Sequence, residues 1–320
     1  MNREQKQPGG VNREQRLRGL ELVIARRLEG LLHGDYLGLL PGLGSEPSGS
    51  REYRPGEDDV RRMDWAVTAR TGAPHVRTVD ADRELTTWVV VDASASMDFG
   101  TADAEKRDVA VGAVAAVGFL TAGSGNRLGA SVLTAQEVRR FPPCGGRIPL
   151  LGLLRDLQTL PRDGRPSRKL AEAVGSLRIP RRGLVVVVSD FLDGLDADGL
   201  GPEPPAWEQP LRRLAARHQV LAVQVGDPRE QDLPDVGLLT LVDPETGERR
   251  EVATASRRLR ERYAAAAARQ QESIAGGIRR AGAAHLRLRT DRDWIADIVR
   301  HVKAQRRLAR AARRPGGATA

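Results

Sequence analysis

Two hydrophobic rhythms run along this chain. Between Asn12 and Leu32, the apolar positions Leu17, Leu20, Val23, Ile24, Leu28, Leu31 and Leu32 recur at helical spacing and predict an amphipathic helix. Residues 34–50 are rich in Gly, Pro and Ser and predict a loop. Residues 51–83 are dense in charge and short of apolar side chains. At Leu85 the character changes: Thr86, Thr87, Trp88, Val89, Val90 and Val91 predict a buried strand that delivers the small polar loop Asp92 to Ser96. A largely apolar helix over Glu105 to Leu120 follows, then a strand over Leu128 to Leu133 with a hairpin partner over Glu137 to Phe141. Helices are expected over Pro149 to Thr159 and Ser167 to Leu177. Gly183 to Val188 repeats the strand pattern, with Val185 to Val188 leading into Ser189 and Asp190. A helix over Pro210 to His218, strands over Val220 to Gly226 and Leu238 to Val242, a long helix from Ser256 to Ala281, a strand over His285 to Leu288 and a last helix from Trp294 complete the pattern.

Strands alternating with helices predict an α/β fold with a doubly wound, mainly parallel sheet covered on both faces. That domain is expected over residues 85–313. An N-terminal helix and charged-loop extension precede it over 12–84, and residues 1–11 and 314–320 read as disordered tails, lacking apolar side chains to offset the entropy of ordering. A chain of 320 residues suits one main domain with extensions. The lone Cys144 excludes an internal disulfide and, with no signal-like segment, leads us to expect a cytoplasmic protein. The apolar stretch Val109 to Ala122 falls short of the roughly 20 residues a bilayer requires and contains Gly112 and Gly118, so no membrane span is expected.

The formal charge of +9 and pI of about 10.5 would suit nucleic acid, anionic lipid or an acidic protein. Nearly all the positive charge is Arg, however; lysines occur only at Lys6, Lys106, Lys169 and Lys303. That bias runs through helices and loops alike, as genome composition would produce no less than function. Aromatic residues are scarce, so no stacking platform for single strands is evident. Nucleic acid is therefore the weaker expectation for a partner.

Ligands of doubly wound sheets bind outside the carboxyl ends of the strands. The pattern sends Asp92, Ser94, Ser96 and Asp190 to that edge. Their oxygens are hard donors of the kind Mg²⁺ takes, and alternate side chains of an extended loop point the same way. The same residues also suit helix caps and turns, and the residue pattern leaves both readings open.

The charged stretch from Arg51 to Trp65, with Ala69-Arg70, Val76-Arg77 and Arg83-Glu84, resembles the RxYxxGDDxRxIDWxxxAR signature of the domain-of-unknown-function 58 family. Similarity continues through Asp92 to Met97, Val185 to Phe191 and Val236 to Gly247, covering roughly Leu20 to Leu288. The resemblance implies a von Willebrand factor A-like domain, Rossmann-like in architecture, of the bacterial kind commonly encoded beside MoxR-type AAA+ ATPases. It also implies a metal-ion-dependent adhesion-type site on Asp92, Ser94, Ser96 and Asp190, holding Mg²⁺, or Mn²⁺ or Ca²⁺. Where such sites place Thr two residues before a helix Leu, this chain has Arg168 before Leu170, with Ser167 beside it. Either Ser167 substitutes after a local shift, or the metal site is degraded, in which case a guanidinium near Asp92 or Asp190 could replace the cation. Asn126 stands where the family often has Asp.

Glu57, Asp58, Asp59 and Asp64 are interleaved with Arg54, Arg61, Arg62 and Arg70. This segment is expected to neutralise itself through ion pairs and to lie as a long loop against the sheet, with Tyr53 and Trp65 as apolar anchors. Arg54, Arg62 and Arg70 are the alternative candidates for contacting a partner. The basic last helix reads as a solvated face. No GxSxG or GxxxxGK[ST] motif occurs, and no His is spaced to serve Ser94 or Ser96. No catalytic residue is expected. The resulting expectation is a non-enzymatic adaptor that binds a MoxR-like AAA+ ATPase, a client protein or both. An Asp92-dependent hydrolase or phosphatase, and a basic nucleic-acid binder, are the alternatives from other classes.

Overall fold

In chain order the strands are β1 (Ser50–Glu52), β2 (His75–Arg77), β3 (Thr86–Asp92), β4 (Arg127–Leu133), β5 (Val138–Gly145), β6 (Leu184–Ser189), β7 (Gln219–Gly226), β8 (Leu238–Val242), β9 (Arg249–Ala253) and β10 (Ala284–Arg289). The helices are α1 (Trp65–Thr71), α2 (Lys106–Thr121), α3 (Arg147–Thr159), α4 (Leu170–Gly175), α5 (Glu208–Ala215), α6 (Arg257–Arg280) and α7 (Trp294–Ala312). This computed structural model describes residues 22–24, 26–27, 50–55, 58, 60, 63–77, 85–102, 104–121, 125–134, 136–162, 169–195, 204–243 and 247–312. The two tails expected at 1–11 and 314–320 lie outside them.

Six strands form the central sheet in the order β10-β7-β6-β3-β4-β5. All neighbouring pairs are parallel except β4 with the edge strand β5. Strand order reverses between β3 and β6, which makes their carboxyl ends the switch point of a doubly wound sheet. Alternation along each central strand feeds two cores. Val89 and Val91 of β3 with Val186 and Val188 of β6 pack against α2, α3 and α7, whereas Val90, Val185 and Val187 pack against α4, α5 and α6. A strand buried on both faces has no polar positions, which is why β6 reads as four valines in a row.

Helix α2 is apolar almost all round for the same reason: it lies between the sheet and other helices. A Cβ on Gly112 would lie 2.5 Å from Trp294 of α7, and one on Gly118 would lie 2.5 Å from Leu150 of α3. These glycines, which interrupt the longest apolar stretch, are the places where neighbouring helices press in. Asn126 closes the turn after α2, its Oδ1 accepting from the Leu85 N–H at 3.0 Å and its Nδ2 donating to the Thr121 carbonyl at 3.0 Å. That role needs a donor and an acceptor on one side chain, which an ionised Asp lacks.

The segment before β3 differs from the expected long loop. It contains α1 and a small antiparallel pair, β1 with β2. Trp65, expected as an apolar anchor, is 67% exposed, while Tyr53 is half-buried. Polar groups do the anchoring. Asp64 accepts from the Val67 N–H at 3.2 Å as the cap of α1 and from the Ser50 hydroxyl at 2.8 Å, and the Thr68 hydroxyl accepts from the His75 N–H at 3.0 Å. A helix of one family signature thus begins on its own carboxylate, where the anion also meets the positive end of the helix. Of the helix expected over 12–32, residues 22–24 and 26–27 are described and helical. Ile24 is fully buried in the α2 and α7 core, and Arg27 reaches Asp293 at the start of α7 with two bonds of 2.8 and 2.5 Å. The partner of β8 is β9, whose charged residues Arg249, Arg250 and Glu251 hide its strand character.

Candidate functional site

Parallel strands bring Asp92, Asp190 and Asp227 to one edge of the sheet, at the ends of β3, β6 and β7. At the switch point, Asp92 Oδ1 accepts from the Ser94 N–H at 2.9 Å and Oδ2 from the Ser189 hydroxyl at 2.6 Å. The Ser94 and Ser96 hydroxyls meet at 3.1 Å, and Ser96 donates to Asp190 Oδ2 at 2.8 Å. Asp190 Oδ1 accepts from the Leu192 N–H at 3.1 Å. Asp92, Ser94, Ser96 and Asp190, chosen from the sequence, therefore form one hydrogen-bonded cluster. Ser94 and both carboxylates are buried, and Ser96 is partly exposed at its rim.

The loop that carries Asp190 is held from below. Phe191 adopts a left-handed backbone, φ 60°, an uncommon conformation for a bulky residue that surrounding structure must maintain. Its ring is fully buried and meets Trp207 edge-on, with centroids 5.1 Å apart. The Phe191 N–H donates to Ser189 Oγ at 3.0 Å, so Ser189 accepts from its own loop while donating to Asp92. Asp193, further along the loop, accepts from the Leu170 N–H at 2.6 Å and ties it to the start of α4.

A charge that sequence reasoning missed completes the cluster. Lys106, the first residue of α2, is 0% exposed; its Nζ donates to Asp190 Oδ2 at 2.9 Å and to Glu230 Oε1. Glu230 belongs to a capping box with Asp227, its Oε2 accepting from the Asp227 N–H at 2.9 Å. A signal for Lys106 was present: in a chain of 51 basic residues with four lysines, one stands at the head of an almost wholly apolar helix. A compact ammonium on a flexible stem fits such a site where a planar guanidinium does not. Glu230 had no comparable signal, because its role depends on the meeting of β7 with α2.

Electrostatics follow from burial and this pairing. Burial, reinforced by the Asp190 charge, pushes the Asp92 carboxyl up to about 6 against the pull of Ser189 and Ser94. Burial acts to raise Asp190 too, but the Lys106 ammonium and the Ser96 and Leu192 donors hold it below its ordinary value. Desolvation acts to lower Lys106, yet Asp190 and Glu230 overcome it and hold its pKa above the usual lysine value. Burial pushes Glu230 up despite Lys106.

The oxygens of Asp92, Ser94, Ser96 and Asp190 are the donor type of a Mg²⁺ site. As arranged they do not fit one beside Lys106. A divalent ion would have to share Asp190 with a buried ammonium that already takes Oδ2 at 2.9 Å, and two cations on one buried carboxylate repel each other. Ser167 and Arg168, the alternative ligand and built-in cation, lie outside the described residues, as does Arg62. Arg54 and Arg70 are exposed on the segment of β1 and α1. Among the described residues no His is a partner of Ser94 or Ser96; His285, for example, bonds Gln224 at 3.0 Å.

A family model described as "Protein of unknown function DUF58" matches residues 49–273. "Uncharacterized protein Rv1480" of Mycobacterium tuberculosis is 53% identical over 296 residues, spanning 92% of this chain and 90% of the relative. "Uncharacterized protein MAV169" of Mycobacterium avium is 48% identical over 177 residues, 54% of this chain and 98% of that protein. Among solved structures, BatB from Bacteroides thetaiotaomicron is similar over 70% of this chain and 99% of its own, at 14% identity and TM-score 0.41. The SpRpn10 VWA domain is similar over 68% and 94%, at 10% identity and TM-score 0.38. Strand order and direction carry the fold assignment, a doubly wound, mainly parallel α/β sheet. Among the described residues no helix is long and apolar enough to cross a membrane.

Proposed function

The chain belongs to the DUF58 family, and from that premise we propose that it is a non-enzymatic adaptor whose polar cluster at the sheet's switch point receives a side chain of a protein partner. The observation that carries this reading is the convergence of Asp92, Ser94, Ser96 and Asp190 at the edge where doubly wound sheets bind ligands, with Ser96 partly exposed. The family resemblance makes a MoxR-like AAA+ ATPase the first partner to test. Arg54 and Arg70, both exposed, are proposed as further contacts on the neighbouring charged segment.

Chemistry at the cluster favours binding over turnover. A phosphoryl-transferring aspartate normally has a second acid two residues on, and here that position is Ser94, while Asp92 is buried and engaged by Ser94 N–H and Ser189 Oγ. The hydroxyls of Ser94 and Ser96 have no histidine base among the described residues, and the carboxylate that Ser96 meets, Asp190, is held in an ion pair with Lys106.

Binding of the purified MoxR-type ATPase from the same organism, followed by calorimetry, tests this. Ser96→Ala removes a rim hydroxyl without unpairing the Lys106 ion pair, and is expected to weaken binding about tenfold, roughly 1.4 kcal/mol, with little change in Tm. Unchanged affinity would remove the cluster from the interface. Asp92-dependent phosphoester turnover would replace the reading with a hydrolase, and tight nucleic-acid binding that falls steeply with salt would replace it with a nucleic-acid binder.

A further inference from the structure

Lys106 is an unusual residue to find at this place. A lysine side chain with no exposure requires full compensation for the loss of water, and a lone ammonium in the core would give up its proton. Here two carboxylates from different strand ends, Asp190 after β6 and Glu230 after β7, converge on Nζ. The Asp190 oxygen that receives Nζ also receives the Ser96 hydroxyl, and Ser96 bonds Ser94. The ammonium therefore sits in the oxygen-lined cluster itself rather than in a separate structural ion pair. Asp92, for its part, is satisfied by neutral donors, Ser94 N–H and Ser189 Oγ.

We infer that Lys106 Nζ is a built-in cation that takes the electrostatic place of a divalent metal at the Asp92–Ser94–Ser96–Asp190 cluster, so that the site is assembled by folding and works without metal. This deepens the proposed function and rests on its reading of the cluster as the binding centre. The physical consequence is a site whose charge cannot be stripped by chelators. It is fixed by the packing of α2, whose first residue is Lys106, against the sheet. Glu230 then serves as a positioning residue: it holds the second side of the ammonium and, through the Asp227 N–H, fixes it to the end of β7.

Thermal unfolding of the full chain in EDTA, in Mg²⁺ and in Mn²⁺ provides the test, on wild type, Lys106→Met and Lys106→Met with Glu230→Gln. A ligand that binds only the folded state at about 100 times its Kd raises Tm by roughly 4 °C for a chain of this size. Wild type is expected to show no such rise. Lys106→Met leaves Asp190 facing Glu230 without a counter-ion, so its Tm should drop in EDTA and recover by that amount in Mg²⁺ or Mn²⁺. The double variant, with one carboxylate neutralised, folds more readily than the single one and should retain the metal response at Asp190; it supplies the answer if Lys106→Met does not fold. A wild-type rise that disappears in Asp92→Asn, or folded Lys106 variants indifferent to both metals, overturns the inference. Calorimetry with the ATPase in EDTA separates the two proposals. Wild-type binding lost in EDTA and restored by Mg²⁺ defeats the built-in cation but keeps the adaptor, whereas absence of binding under every condition defeats the adaptor and leaves the Tm result to decide on Lys106.

Discussion

Each carboxylate oxygen of Asp227 accepts two hydrogen bonds. Oδ1 receives the Thr101 hydroxyl at 2.6 Å and the Arg229 N–H at 2.9 Å, and Oδ2 receives the Thr101 N–H at 2.9 Å and the Thr290 hydroxyl at 2.6 Å. One buried side chain thus joins the loop after β3, the turn after β7 and the end of β10. Although burial works to raise its pKa, the Thr101, Thr290 and Arg229 donors hold Asp227 below the ordinary carboxylate value. Asp227→Asn keeps the shape but presents N–H groups to two of these donors. It should cost about 2–4 kcal/mol at pH 7, since charged hydrogen bonds contribute about 1.5–3 kcal/mol each and a mismatched buried donor adds a penalty. Urea unfolding measures this. The sign with pH is definite: a lowered folded pKa contributes stability above the unfolded value near 3.8 that is lost as pH falls through the folded value. The gap between wild type and Asp227→Asn should therefore narrow in acid, and a gap independent of pH would show that the charge is immaterial.

Helix packing turns on the distinction between two glycines. Gly112 of α2 faces the Trp294 ring of α7, with no room for a methyl group between them, whereas Gly152 of α3 faces open space and has no positive φ. Alanine at either position reduces the entropy lost on folding a helix by roughly 0.5–1 kcal/mol. At Gly112 that gain is outweighed by overpacking against a rigid indole, which typically costs about 1–3 kcal/mol. Gly112→Ala should accordingly lower stability by about 1–2 kcal/mol and Gly152→Ala raise it by about 0.5–1 kcal/mol, both read from the urea midpoint. The same element pairing matters for the cluster, because α2 starts with Lys106 and any tilt forced by Trp294 moves Nζ against Asp190.

At the scale of the whole molecule, the far edge of the sheet carries a pH-sensitive joint. His285 on β10 bonds Gln224 of β7 at 3.0 Å, and Gln224 in turn donates to Gln271 of α6 at 2.9 Å. Burial, with Arg287 and His301 adding positive charge, lowers the His285 pKa to about 4. The folded chain then resists a proton that the unfolded chain accepts near pH 6.5. Stability contributed by the neutral ring is complete above about 6.5 and lost as pH falls towards 4, by at most about 3 kcal/mol. Asp92 works in the opposite sense over part of this range, since its folded pKa of about 6 lies above the ordinary one. Comparing wild type with His285→Gln isolates the histidine: between pH 7 and 4.5 the Tm of wild type should fall more steeply. Parallel slopes would assign the acid sensitivity elsewhere.

The amino-acid sequence by itself determined the layered α/β architecture, because strands buried on both faces and helices covering them leave apolar runs of different length and period, as Val185 to Val188 and Val109 to Leu120 do. It also determined which residues stand at the carboxyl ends of β3 and β6, since Asp92 and Asp190 interrupt those runs abruptly. Elements whose stability comes from polar contacts escaped it: α1 begins on Asp64, β1 pairs with β2 across a charged segment, and β9 is a strand of Arg and Glu, so none has an apolar period to read. Trp65 was misjudged as an anchor for a related reason, as hydrophobicity states what a side chain gains from burial but not whether a surface is there to bury it. Only the tertiary structure decided what lies among the acids of the switch point. Lys106, Asp190 and Glu230 are separated by 84 and 40 residues along the chain, from 106 to 190 and from 190 to 230, and a buried ammonium is held by the three-dimensional meeting of its partners, a property that no local pattern encodes.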